Sequence, residues 1–136
     1  MEIKMKKALA LVAVLLLVVV GVANAGSVEK IDIEGLKALK ASDEQFVVID
    51  SRGGKYFDGE VIEGAKHLAV NDQTAEKLAE LVPSKDTKIV FYCSNVDCPA
   101  SEGAAVKAKE DGYTNVVKYP GGFEEWKKAG LPTSKI

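Results

Sequence analysis

Histidine occurs once in the 136 residues, as His67, and arginine once, as Arg52. Cysteine occurs only twice, as Cys93 and Cys98. One histidine in a different segment from both cysteines falls short of the four ligands that a structural zinc site needs, so no metal is expected. An excess of charge is missing too: 18 basic residues face 20 acidic ones, a formal net charge of −2. No basic cluster offers a surface to nucleic acid or to an anionic membrane, and neither is expected as a partner. The chain has no repeat, low-complexity tract or interdomain linker.

The one long apolar run lies at the start. Lys4, Lys6 and Lys7 precede Ala8 to Val20, which carry no polar side chain, and Ala23-Asn24-Ala25 follow. A basic start, an apolar middle and small residues at alternating positions describe an export signal, which we assign to residues 1–25. An uncleaved anchor is the alternative, since Ala8 to Ala23 nearly reaches bilayer length. Residues 26–136 then form one domain with a balance of about −4, of a size that holds a single core. The expected location is the periplasm or another exported compartment.

Within that domain, short apolar runs alternate with helical patterns. Val28 to Ile33 reads as a strand entering a helix capped by Asp32, with Ile33, Leu36 and Leu39 on one face. Phe46 to Ile49 reads as a buried strand that ends in Asp50-Ser51-Arg52-Gly53-Gly54. Ala65 to Val70 reads as a weaker strand. Asp72 is the expected cap of a helix through Val82, with Ala75, Leu78, Ala79 and Val82 on one face. Lys88 to Tyr92 is the next buried strand. Pro99 then opens a helix that Gly112 ends. Asn115 to Tyr119 is the last strand and Phe123 to Ala129 the last helix. Such alternation predicts an α/β fold, a mainly parallel sheet with helices on both faces.

Ligands of open parallel sheets bind outside the carboxyl ends of the strands. Cys93 stands at such an end, about five residues before a helix. Ser94, Asn95, Val96, Asp97 and Cys98 therefore offer backbone N–H groups, with the helix dipole behind them, to a sulfur anion on Cys93. That favours a nucleophilic thiolate. A small buried residue finishing a core strand would read the same way, and spacing alone does not separate the two.

Four segments resemble the rhodanese-like domain family, in the family's order. These are FVVIDSR from Phe46 to Arg52, FDGEVIEGAKHLAV from Phe57 to Val70, IVFYCSNVDCPAS from Ile89 to Ser101 and YPGGFEEWKKAGLP from Tyr119 to Pro132. The second has Glu60 and Val61 where the family has His and Ile. The resemblance implies a rhodanese-like fold and a sulfurtransferase. In it, Cys93 takes sulfane sulfur from a small donor as a persulfide and passes it to a thiol or protein acceptor, without a cofactor. The loop amides from Ser94 to Cys98 would cradle the transferred sulfur.

Two departures matter. Many members end the loop with arginine five positions after the nucleophile; here that position is Cys98. The loop has no basic side chain and contains Asp97, so a dianion such as thiosulfate meets little attraction, and polysulfide or persulfide donors gain. Arg52 is expected as a structural ion-pair partner of Asp50 or Glu60. Cys98 is read as a resolving thiol that attacks the Cys93 persulfide or bonds to Cys93, or else as an inert residue near a helix cap. A phosphatase-like loop would need arginine at Pro99, and a thioredoxin-like site would need C-x-x-C. A thiol-disulfide redox protein using Cys93 and Cys98, and a non-catalytic binding module, remain as alternatives.

Overall fold

The computed structural model describes residues 28–136; the expected leader, residues 1–25, lies outside the described residues. Five parallel strands form the main sheet in the order β1-β6-β5-β2-β4: β1 (Glu29–Lys30), β2 (Phe46–Asp50), β4 (Lys66–His67), β5 (Lys88–Tyr92) and β6 (Val116–Tyr119). The helices are α1 (Ile33–Lys40), α2 (Ala75–Leu81), α3 (Ala100–Glu110) and α4 (Gly122–Lys128). A two-stranded antiparallel ribbon of β3 (Glu60–Ile62) and β7 (Thr133–Lys135) stands beside the main sheet.

Strand alternation splits the core in two. Val48, Val90, Tyr92, Val117 and Tyr119 face α1 and α4 and pack on Leu36, Leu39, Phe123 and Trp126. Ile49, Ile89, Phe91 and Val116 face the opposite way, onto Leu78 of α2 and Ala104, Ala105 and Ala108 of α3. Strands covered on both faces must be apolar at successive positions, which is why β2 and β5 read as unbroken apolar runs. Each large aliphatic or aromatic side chain so buried contributes about 1.5–3 kcal/mol. The alanines of α3 bring that helix close to the sheet.

Asp32 caps α1, accepting from the Gly35 N–H at 2.8 Å, as its position predicts. Three expectations shift. The cap of α2 is Thr74, which accepts from the Lys77 N–H at 3.2 Å, while Asp72 ends a 3₁₀ turn. Ala75 and Ala79 are exposed and only Leu78 and Val82 reach the core. The strand expected over Ala65 to Val70 is regular only at Lys66–His67. The Leu68 and Val70 N–H groups still donate to the Asp50 and Ser51 carbonyls, at 3.0 and 3.1 Å, before the chain enters a 3₁₀ turn at Val70–Asp72.

The connections set the position of the site. The chain leaves β5 into α3 on one face of the sheet and leaves β6 into α4 on the other. Neighbouring parallel strands whose connections diverge leave a crevice at their carboxyl ends. Cys93 follows β5 there.

Candidate active site

Cys93 is buried, 3 % exposed, while Cys98 is half-buried at the crevice wall. The two are joined by a disulfide whose Cα atoms lie 6.2 Å apart, within the normal span for such a bond. Asn95 shapes the loop between them. Its carbonyl accepts from the Cys98 N–H at 3.1 Å and its side-chain oxygen from the Asp97 N–H at 3.0 Å. Of the five amides expected to face a sulfur anion, those of Asp97 and Cys98 are therefore turned onto Asn95. Among the described residues, the N–H groups of Ser94, Asn95 and Val96 take no part in holding the loop.

The start of α4 seats the loop. The Phe123 N–H donates to the Cys93 carbonyl at 2.8 Å, and the Glu124 N–H to the Ser94 carbonyl at 2.9 Å. The Asn95 side-chain amide donates to the Glu124 carboxylate at 3.0 Å. Gly122 permits this approach: its φ is 71°, and a Cβ there would lie 2.6 Å from the Cys93 carbonyl oxygen. Nothing in the local sequence shows this need for glycine, because it comes from the neighbouring loop.

Behind the loop lies a buried ion pair. Arg52, 4 % exposed, donates from Nε to both Asp50 oxygens at 3.1 and 3.0 Å and from Nη2 to Oδ2 at 2.7 Å. The same Nη2 donates to the backbone carbonyl of Glu60, and Nη1 lies 3.8 Å from Asp58. The Glu60 carboxylate goes elsewhere, to Lys127 at 2.8 Å and to the Thr133 hydroxyl at 2.5 Å. Phe123 covers the guanidinium, 4.3 Å from its ring centre, and Phe57 does so at 5.3 Å. Burial opposes the Arg52 charge, but the Asp50 carboxylate outweighs it and holds the guanidinium pKa above its ordinary value. Arg52 is thus occupied with Asp50, and it does not line the crevice.

Tyr92 accepts the Ile62 N–H at 2.9 Å, and burial with Asp50 nearby pushes its phenol far above the usual range. It stays neutral. His67 sits at the core edge, stacked on Phe57 at 3.6 Å between ring centres, with Nε2 2.7 Å from the Arg52 carbonyl oxygen. It touches neither cysteine.

The crevice at Cys98 has a volume of about 360 Å³, and Tyr56, Asn95, Asp97, Pro99 and Glu124 are among its walls. Its charged side chains are Asp97 and Glu124, both acidic. A wider cleft of about 600 Å³ lies across the loop, between Val96, Asp32 and Pro120. It reaches neither cysteine, so the smaller crevice is the one that bears on sulfur chemistry.

Residues 32–129 match the model of the rhodanese-like domain. The chain belongs to the rhodanese-like domain family. A thiosulfate sulfurtransferase GlpE from Actinobacillus succinogenes is 33 % identical over 89 residues, 65 % of this chain and 76 % of that protein. Among solved structures, a Bacillus halodurans protein is 26 % identical with a TM-score of 0.69, over 79 % of this chain and 77 % of its own. A rhodanese-like domain from Anabaena sp. superposes with a TM-score of 0.66 at 23 % identity, over 81 % of each chain, and shows the shared fold. Placed in this rhodanese-like domain, Cys93 stands where β5 gives way to the loop and α3, as the sequence segments imply.

Proposed function

We propose that this rhodanese-like domain is a sulfurtransferase that carries sulfane sulfur on Cys93. The observation that carries the reading is the seat of Cys93: a buried sulfur at the carboxyl end of β5, with a five-residue loop folded over it and bound to α4. In the reduced protein the Cys93 thiolate attacks the terminal sulfane sulfur of a donor. A new S–S bond forms, the donor's own S–S bond breaks, and its remainder leaves with the electron pair. An acceptor thiolate then attacks the outer sulfur of the persulfide, and Cys93 leaves as thiolate. No cofactor takes part. The family likeness to a named thiosulfate sulfurtransferase supports the class of reaction.

The donor is polysulfide or a partner's persulfide in preference to thiosulfate. Asp97 and Glu124 flank the crevice without a cation on its walls, and two carboxylates repel a dianion more than a species of lower charge. Comparing kcat/KM for the two donors tests this. Asp97→Asn with Glu124→Gln should raise thiosulfate use by roughly tenfold at low salt, with a smaller gain at high salt. A wild-type protein far better with thiosulfate than with polysulfide would overturn the electrostatic argument.

Cys98 is the resolving thiol in this reading. With the bridge closed, Cys93 is sealed from the crevice and transfer stops; an external thiol reopens it. Cys98 attack on the inner sulfur of the Cys93 persulfide would close the same bridge and release hydrosulfide. Thiol counts and intact mass under oxidant and reductant follow the bridge. Cys98→Ser should keep transfer while prolonging the Cys93 persulfide. Two free thiols after oxidation, or equal lifetimes, would leave Cys98 a bystander and favour its role as an inert residue near the cap of α3. An exported location, proposed from the leader-like residues 1–25, suits a bridge that persists between turnovers.

A further inference from the structure

We propose that the hydroxyl of Ser51 is a hydrogen-bond donor to the reduced sulfur of Cys93, stabilising its thiolate and persulfide. The inference rests on the reading of Cys93 as nucleophile and names a second side chain in that site. Strands β2 and β5 run parallel with Ile49 opposite Phe91 and Asp50 opposite Tyr92. The Ser51 N–H continues the ladder by donating to the Tyr92 carbonyl at 2.8 Å. One step further, Ser51 and Cys93 are neighbours across the strands, about 5 Å apart as the strand spacing requires. Ile49 and Phe91 both face α2 and α3, so alternation turns Ser51 and Cys93 to that same side.

Ser51 is fully buried, and its Oγ has no hydrogen-bond partner among the described residues. A buried hydroxyl in that condition is costly. The expense makes sense if the oxidised bridge is one of two states. A sulfur held in a neutral disulfide is a poor acceptor, whereas a thiolate or a persulfide anion is a strong one. Breaking the bond to Cys98 frees the Cys93 sulfur to swing toward the adjacent strand and meet the waiting O–H. The proton stays on Ser51 throughout; what moves is the acidity of Cys93.

The charges on the surrounding elements leave room for such a donor. On β2 and the turn after it, Asp50 and Arg52 neutralise each other. The loop contributes Asp97, α4 contributes Glu124, and Glu102 in the first turn of α3 is paired with Lys118 of β6. Lys107 of α3 is turned onto the Val70 and Gln73 carbonyls and His67 of β4 onto the Arg52 carbonyl. Asp97 and Glu124, which have no ion pair among the described residues, are both acidic and oppose a thiolate. A neutral O–H can offset them without attracting an anionic donor.

The test uses the Cys98→Ser background, so that one thiol titrates, and reads the Cys93 pKa from the pH dependence of alkylation. Ser51→Ala should raise that pKa by about one unit and slow alkylation near neutral pH by up to tenfold. Ser51→Thr, which keeps the donor, should restore most of the difference. In the disulfide form with both cysteines present, Ser51→Ala should instead raise the unfolding midpoint by about 4 °C or more, since an unpaired hydroxyl is removed. The isosteric pair Ser51→Thr and Ser51→Val repeats the comparison should the alanine protein fail to fold. An unchanged Cys93 pKa in folded Ser51→Ala, or equal pKa values for Thr and Val, overturns the proposal. Should the pKa respond while no sulfur transfer is found, the Ser51 assignment stands and the sulfurtransferase reading falls.

Discussion

Cys93→Ser should reduce sulfur transfer from polysulfide to the uncatalysed background, a loss on the order of 10⁴-fold or more, as removal of a covalent nucleophile does elsewhere. The serine hydroxyl has the right size for the end of β5 but does not form a persulfide. Compared with the reduced parent, the variant should unfold at nearly the same denaturant concentration, because one small buried side chain replaces another. The comparison must use the reduced parent: the variant also loses the bridge to Cys98, and closing even a short loop stabilises by about 2 kcal/mol in the chain-entropy account. Intact mass after polysulfide treatment should show one added sulfur on the reduced Cys98→Ser protein and none on Cys93→Ser. Turnover through a persulfide in the Cys93→Ser protein would remove this residue from the mechanism and return the domain to a binding role.

The second large effect concerns stability rather than chemistry. Arg52→Met should destabilise the domain by about 3–5 kcal/mol, because it leaves the fully buried Asp50 carboxylate without its cation. It also removes the donor to the Glu60 carbonyl that ties β3 to the turn after β2. Asp50→Asn in the same protein should recover part of the loss, since a neutral amide is cheaper to bury unpaired than a carboxylate. Urea unfolding of the two variants measures both effects. Molecules that still fold should transfer sulfur, because Arg52 contacts Asp50, Phe57 and Phe123 and lies off the crevice. A loss below about 1 kcal/mol would place the pair among ion pairs that contribute little. Normal stability with lost transfer would instead make Arg52 a substrate contact.

The contrast between Arg52 and Glu124 shows where sequence reading succeeds. Arg52 lies two residues from Asp50, and the chain bends back after β2, so local spacing was enough to pair them. The expected alternative, an ion pair of Arg52 with Glu60, does not form: only the Glu60 backbone carbonyl accepts from Arg52, while its carboxylate pairs with Lys127 and Thr133. Glu124 is 31 positions from Cys93, and nothing in the local sequence ties it to the cysteine loop. Only the docking of α4 against the loop brings its N–H to Ser94 and its carboxylate to Asn95. Likewise β3 and β7 carry no periodicity of their own over three residues each. They exist because residues 71 positions apart, Ile62 and Thr133, pair across the domain edge.

What the amino-acid order determined is what depends on near neighbours. Apolar runs closed by Asp50 and Cys93 made buried parallel strands, small residues on α3 let it pack closely, and four ordered segments placed the chain among rhodanese-like domains. The position of Cys93, the proposed nucleophile, followed, since strand ends are visible as the point where an apolar run stops. Tertiary structure decided the rest, because the contacts in question join residues far apart in the chain and depend on the divergence of α3 and α4 from neighbouring strands. It turned the Asp97 and Cys98 amides onto Asn95, made Gly122 a condition of loop seating, lined the crevice with carboxylates, and set Ser51 beside Cys93.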